Sequence, residues 1–105
     1  MLNQVVFVGR IVNEIEVEEL ENGGKRSKIC VAVPRSYKNE DGIYETDFID
    51  CIIWNGIAEN VAEYCTKGDL VGIKGRLQTE IVEDKKIINV IAEKVTFLAS
   101  KKNEE

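Results

Sequence analysis

Hydrophobic and polar residues alternate with a period of two over most of this chain, and a period near four breaks in only once. A period of two puts successive side chains on opposite faces of a strand; a period near 3.6 lines one face of a helix. Residues 4–12, QVVFVGRIV, predict a first strand rich in β-branched types. Gly9 interrupts it and marks a bulge or a close backbone approach. Residues 14–20, EIEVEEL, read as a half-exposed strand or a continuation of the first, its glutamates in solvent. Asn22-Gly23-Gly24 is a hairpin signal, because Asn and Gly tolerate positive φ. A second strand is expected over 26–34, ending at Pro34 with Ile29, Val31 and Val33 inward. Residues 35–45 then form a polar hairpin arm tipped by 39–42.

Residues 46–54, TDFIDCIIW, predict a third strand. Asp47, Ile49, Cys51 and Ile53 share a face suited to a core. Phe48, Asp50, Ile52 and Trp54 share the other, so two aromatics flank a carboxylate. Such a pair is plain core or a stacking platform. A helix follows over about 57–66, capped by Asn55 or Gly56, with Ile57, Val61 and Cys65 on a narrow stripe beside Ala58 and Ala62. Lys67-Gly68 is expected to end it. A fourth strand spans 69–80, with Val71, Ile73, Gly75 and Leu77 on one side and Lys74, Arg76 and Gln78 on the other. Its glycines suit strong coiling. A tip at 83–86 leads to a fifth strand, 87–98, and residues 101–105 are expected to be a frayed tail.

Charge alters this picture in one respect. The chain has 105 residues and a net charge of −5, from 14 basic and 19 acidic residues. That balance argues against nucleic acid as a partner. Five of the acids lie in Glu14–Glu21, however, so 14 basic residues face 14 acidic ones elsewhere. The excess sits in one ribbon and leaves room for a basic face. No apolar run reaches membrane-spanning length and the start has no leader pattern, so a soluble, cytoplasmic protein with no membrane partner is expected. Cys30, Cys51 and Cys65 are widely spaced and the chain has no histidine, which removes the usual zinc spacings. They read as reduced, buried thiols, and no cofactor is expected.

Catalysis finds little support. Asp47 and Asp50 fall on opposite strand faces, and no histidine is present to act as a base. GIKGR lacks the spacing of a phosphate-binding loop.

Three strands, a helix and two strands with glycine-interrupted alternation predict an all-β domain over residues 1–100. The expected fold is a five-stranded Greek-key barrel of the OB type, with its helix between strands 3 and 4. Four blocks then carry a resemblance: MLNQVVFVGRIV, DFIDCIIWNGIAENVAEY, KGDLVGIKGRLQT and VIAEKVTFL. In this order they resemble the bacterial single-stranded-DNA-binding proteins, over nearly the whole chain. The resemblance implies an OB-fold, a homo-oligomer (usually a tetramer) and sequence-tolerant binding of single strands in replication, recombination or repair. It places the stacking aromatics at Tyr37, Phe48 and Trp54. The chain departs from the family at Val82, where an aromatic is common, and at Glu80, where a base is common. It also stops at Glu105, where family members continue into a linker and an acidic tip that recruits replication proteins. Either the sequence is trimmed or the natural protein is short, as on a phage or mobile element; for this chain tail-mediated partners are not expected, and the resemblance implies a nucleoid-associated location.

Arg35 and Lys38 in the arm and Lys74 and Arg76 on the fourth strand are the expected phosphate contacts; Lys28, Arg10 and Lys85-Lys86 are weaker candidates. Asn3 and Gln78 are further possible donors to phosphates or bases. The rival reading is an OB interaction module of the primosomal type, acting mainly through protein contacts. RNA binding is a weaker alternative.

Overall fold

The computed structural model describes residues 1–101. Its strands are β1 (Val5–Ile11), β2 (Val17–Glu19), β3 (Lys25–Lys38), β4 (Tyr44–Trp54), β5 (Leu70–Val82) and β6 (Lys85–Ala99), with one helix, α1 (Asn55–Tyr64). Neighbours run β1-β5-β6-β4-β3-β2, and β1 also pairs with β3. The extra pairing closes β1, β5, β6, β4 and β3 into a five-stranded OB barrel, with β2 appended to β3. The short β2 makes α1 lie between the fourth and fifth strands counted, not between the third and fourth. β4 and β6 pair in parallel; the other ladders are antiparallel.

The alternation decides which residues fill the barrel. Ile29, Val31, Cys51, Ile53, Val71 and Ile73 all point inward and are essentially inaccessible to solvent. Each fully buried aliphatic side chain contributes about 1.5–3 kcal/mol. Ala58, Val61 and Cys65 of the α1 stripe join the same cluster, so the helix plugs one end of the barrel. Ala62, expected beside that stripe, is exposed.

Two glycines allow the barrel to close. A Cβ on Gly9 would stand 2.4 Å from the Ala32 carbonyl oxygen, and one on Gly75 would stand 2.2 Å from that of Ile91. Both obstacles are backbone. The close approach anticipated at Gly9 is therefore the contact of β1 with β3.

Several boundaries differ from expectation. β3 does not stop at Pro34 but runs through an irregularity to Lys38, which pairs with Tyr44. Proline removes one donor, and the strand bulges there and resumes. The arm is thus largely strand, turning at 39–43 with Asn39 N–H donating to the Ile43 carbonyl at 2.9 Å. The helix begins and ends two residues earlier than the apolar stripe suggested. Its cap is the extended residue Trp54, with no side-chain cap. The Asn55 side chain instead accepts a hydrogen bond from the Lys25 N–H at 3.0 Å. Lys67-Gly68 lies beyond the last turn, where Gly68 takes φ of +99°. The β5–β6 tip is a two-residue turn, Glu83-Asp84, with both residues at positive φ. From residue 102 on, the expected tail lies outside the described residues.

Candidate nucleic-acid interface

The outer face of β4 carries Tyr44, Thr46, Phe48, Asp50, Ile52 and Trp54 in steps of two. Phe48 is 66% exposed and Trp54 37%. Six residue steps separate these rings, about 20 Å along β4. Register with β3 sets Ala32 opposite Phe48, Cys30 opposite Asp50, Lys28 opposite Ile52 and Arg26 opposite Trp54. The small residues Ala32 and Cys30 leave the centre of this face low, with the rings standing proud at its two ends. The Arg26 guanidinium lies over the Trp54 ring, 5.8 Å from its centroid. That contact is a cation–π pair that covers one side of the indole.

The face continues sideways. Ile52 pairs with Ile91 of β6, and Ile91 with Arg76 of β5. One row therefore crosses four strands: Lys28, Ile52, Ile91, Arg76. Beyond it the outer side of the β5–β6 hairpin adds the pairs Gln78–Asn89 and Glu80–Ile87. Arg76 donates to Gln78 Oε1 at 2.7 Å, and Asn89 to Glu80 Oε1 at 2.9 Å. Two long hairpins thus flank one surface carrying aromatic, amide and basic groups.

The candidate residues divide on this surface. Phe48, Trp54 and Arg76 share it. Lys38 reaches it through Tyr44, its Nζ 5.6 Å from that ring's centroid. Tyr37 is 63% exposed in the arm. Lys74 is outward on β5 but lies beyond the β5–β6 bulge, opposite Val6 and Lys94, farther round the barrel. Arg35 is drawn to the other side of the arm. It forks onto Asp47 (Nη2–Oδ1 2.8 Å, Nε–Oδ2 3.1 Å) and its Nη1 meets Glu45 Oε2 at 2.5 Å. Asp47 has the parity of Ile49 and Cys51, not of Phe48. Arg10 donates to the Gly68 carbonyl at 3.1 Å. Asn3 is also committed: its amide donates to the Leu77 carbonyl at 2.9 Å and its carbonyl accepts from the Leu77 N–H at 2.8 Å. It clips the hairpin where β5 leaves the barrel.

Tyr44 and Arg26 belong to this face and were not selected from sequence. Tyr44 was legible: it has the parity of Phe48, once the third strand is extended back into the arm. Arg26 was not, because its place opposite Trp54 depends on the irregularity after Pro34.

The Arg35 fork gives a pH prediction. Hydrogen bonding to the guanidinium, aided by its charge, holds the Asp47 carboxyl below its ordinary value, against a smaller opposing effect of burial. The same hydrogen bond raises Arg35, which stays charged throughout. A depressed carboxylate stabilises the fold above its unfolded pKa, about 3.9, and that contribution disappears as pH falls through the lower folded value. Amide protection factors in residues 35–47, corrected for the intrinsic pH dependence of exchange, are therefore expected to be high at neutral pH and to fall below about pH 4. Asp47→Asn should show the lower protection already at pH 7.

The cysteines are free: Cys51 and Cys65 are buried and Cys30 is half-buried. Burial pushes the Cys51 thiol up to about 12 and raises Cys65 as well. Among the described residues no cluster of His, Cys, Asp or Glu is arranged to hold a metal ion.

Comparison with known proteins adds a decisive match. The model of the single-strand binding protein family matches residues 2–98. The chain belongs to this family. Its similarity to single-stranded DNA-binding protein B of Bacillus subtilis is 38% identity over 110 residues, covering 100% of this chain and 97% of that protein. Single-stranded DNA-binding protein A of the same organism is 42% identical over 106 residues, covering 96% of this chain but 62% of that one. Among solved structures, a deletion mutant of the single-stranded DNA binding protein from Thermus aquaticus superimposes with a TM-score of 0.79. It is 22% identical and covers 92% of this chain and 50% of that one, which supports the fold.

Proposed function

We propose that this protein binds single-stranded DNA without strong sequence preference and without catalysis, and protects it during replication, recombination or repair. The observation that carries the reading is the exposure of Phe48 and Trp54 on the outer face of paired strands. They are anchored by Cys51 and Ile53 behind them and open to solvent in front. Every base has a π-face, so stacking is tolerant of sequence, and each stacked base is worth about 1–3 kcal/mol. Tyr44 extends the aromatic track into the arm, and exposed Tyr37, next to Lys38 and on the Arg35 side of the arm, offers a further ring to a strand that wraps round it.

Phosphate contacts come from Lys38 and Arg76 beside the rings, and from Lys74 where a strand wraps round the barrel. Among the described residues neither Lys38 nor Lys74 forms an ion pair. Arg35 contributes by holding the arm through Asp47 and Glu45. Glu18 of β2 approaches Arg26 at 3.6 Å, so the acidic ribbon borders this face at its Trp54 end.

Assembly into a homo-oligomer, a tetramer as is usual in the family, fits the open edge of β1. That strand pairs with β5 along its length but with β3 only at Arg10 and Ile11. The remaining edge, with Val6 and Val8 exposed beside it, is a template for a second copy. No helix among the described residues is long and apolar enough to cross a membrane. A cytoplasmic site of action follows from the proposed DNA ligand.

The test uses the single tryptophan. Titration with oligo(dT) should quench Trp54 strongly, and binding should weaken linearly in log–log form as salt rises, by counterion release. Absence of both quenching and complex at low salt would overturn this reading in favour of a protein-interaction module.

A further inference from the structure

Asp50 stands between Phe48 and Trp54 on the outer face of β4, with its side chain 58% exposed. It is two residues from Phe48, about 7 Å along the strand. Its Oδ2 lies 3.7 Å from Lys28 Nζ, a loose and exposed pairing. The Cys30 thiol faces the same carboxylate and is kept protonated, first by burial and then by the Asp50 charge. A thiol is a weak donor, so it does not saturate the carboxylate. Arg26, the other cation of this stretch, is occupied by the Trp54 ring and Glu18. A phosphate laid between the rings would therefore meet an anion. A base edge would meet an acceptor.

We propose that Asp50 is a base-selecting residue of the stacking face, which accepts N–H donors from the Watson–Crick edge and favours guanine. This rests on the single-strand-binding reading above. An ionised carboxylate only accepts, and two parallel N–H groups match its two oxygens. In an unpaired strand the Watson–Crick edge is free. Guanine presents N1–H and N2–H side by side on that edge. Cytosine and adenine present one amino group next to a ring acceptor, and thymine a single N–H between two carbonyls. Stacking thus supplies affinity for any base, and Asp50 adds a bias where the chain passes between the rings.

The test is a competition assay, by anisotropy, against a labelled dT oligomer in lithium buffer, which suppresses guanine quadruplexes. The competitors are an all-dT oligomer, one with dG at every fourth position, and the same with deoxyinosine, which lacks the 2-amino group. The wild-type protein is expected to prefer the dG oligomer over the deoxyinosine one by roughly 5-fold or more. Asp50→Asn and Asp50→Ala should erase that difference and bind all-dT more tightly, since an anion beside the strand has gone. A dG-to-deoxyinosine ratio near one in the wild type, or an equal ratio in the variants, overturns the assignment. Failure of the wild type to bind any of the oligomers would overturn the binding reading instead.

Discussion

Trp54→Ala is expected to weaken binding to oligo(dT) by about 1–3 kcal/mol, and Phe48→Ala by a comparable amount. The two substitutions have different structural consequences, and this makes them informative together. Phe48 is two-thirds exposed, opposite Ala32, and its loss removes little packing. Its melting temperature should therefore hold while affinity falls. Trp54 is more enclosed, with Arg26 over one face. Its truncation should cost affinity and some stability, whereas Trp54→Phe should restore most of both. Thermal melts beside anisotropy with a labelled oligomer make the comparison. Equal losses of stability and affinity for Phe48→Ala would mean that the ring packs against protein, within the chain or between copies.

Gly75→Ala is expected to destabilise the fold by about 1–3 kcal/mol, and Gly75→Val by the upper end of that range or more. A Cβ at this position would meet the carbonyl oxygen of Ile91 at 2.2 Å, its carbonyl carbon at 3.0 Å and Ala92 Cα at 3.1 Å. All three are backbone atoms, so no rotamer change relieves the clash. Relief would require β6 to move away from β5 at the pairs Gly75–Ala92 and Arg76–Ile91. The same stretch of β6 pairs with Ile52 of β4, so the row carrying Lys28 and Arg76 would shift with it. DNA affinity should fall together with stability. Gly72 is the control three residues away. A Cβ there would touch only side-chain atoms of Leu98, Thr96 and Val8, at 3.8–4.0 Å. Gly72→Ala should stay within about 0.5 kcal/mol of wild type. Urea midpoints at constant slope measure both.

Much of this architecture is legible along the chain. The parity of Phe48 and Trp54 against Cys51 and Ile53 follows from a period of two, and the burial agrees at every one of these positions. The Asn22-Gly23-Gly24 turn is where it was expected, and Gly24 N–H donates to the Asn22 side chain at 2.9 Å. The helix ends were less legible. The stripe of Ile57, Val61 and Cys65 shows which face is buried, but the chain enters the helix straight from a strand without a side-chain cap. Arg35 shows a different limit. Its charge and its position in the arm suggested a phosphate contact. The carboxylates that hold it, Asp47 and Glu45, are 12 and 10 residues away across the hairpin.

By itself, then, the order of side chains determined which faces are apolar, where the chain turns, and that two rings stand on one side of one strand. These are consequences of local periodicity and turn chemistry, which each segment carries alone. Register belonged to the tertiary structure. Carrying the Lys38–Tyr44 pairing straight on would set Trp54 opposite Lys28; the irregularity after Pro34 sets it opposite Arg26. The β5–β6 bulge likewise separates Lys74 from Arg76, two neighbours on one strand face. A bulge adds or removes a residue where strands coil to close the barrel, so it answers to contacts far apart in sequence. Which cation stands beside which ring is settled there.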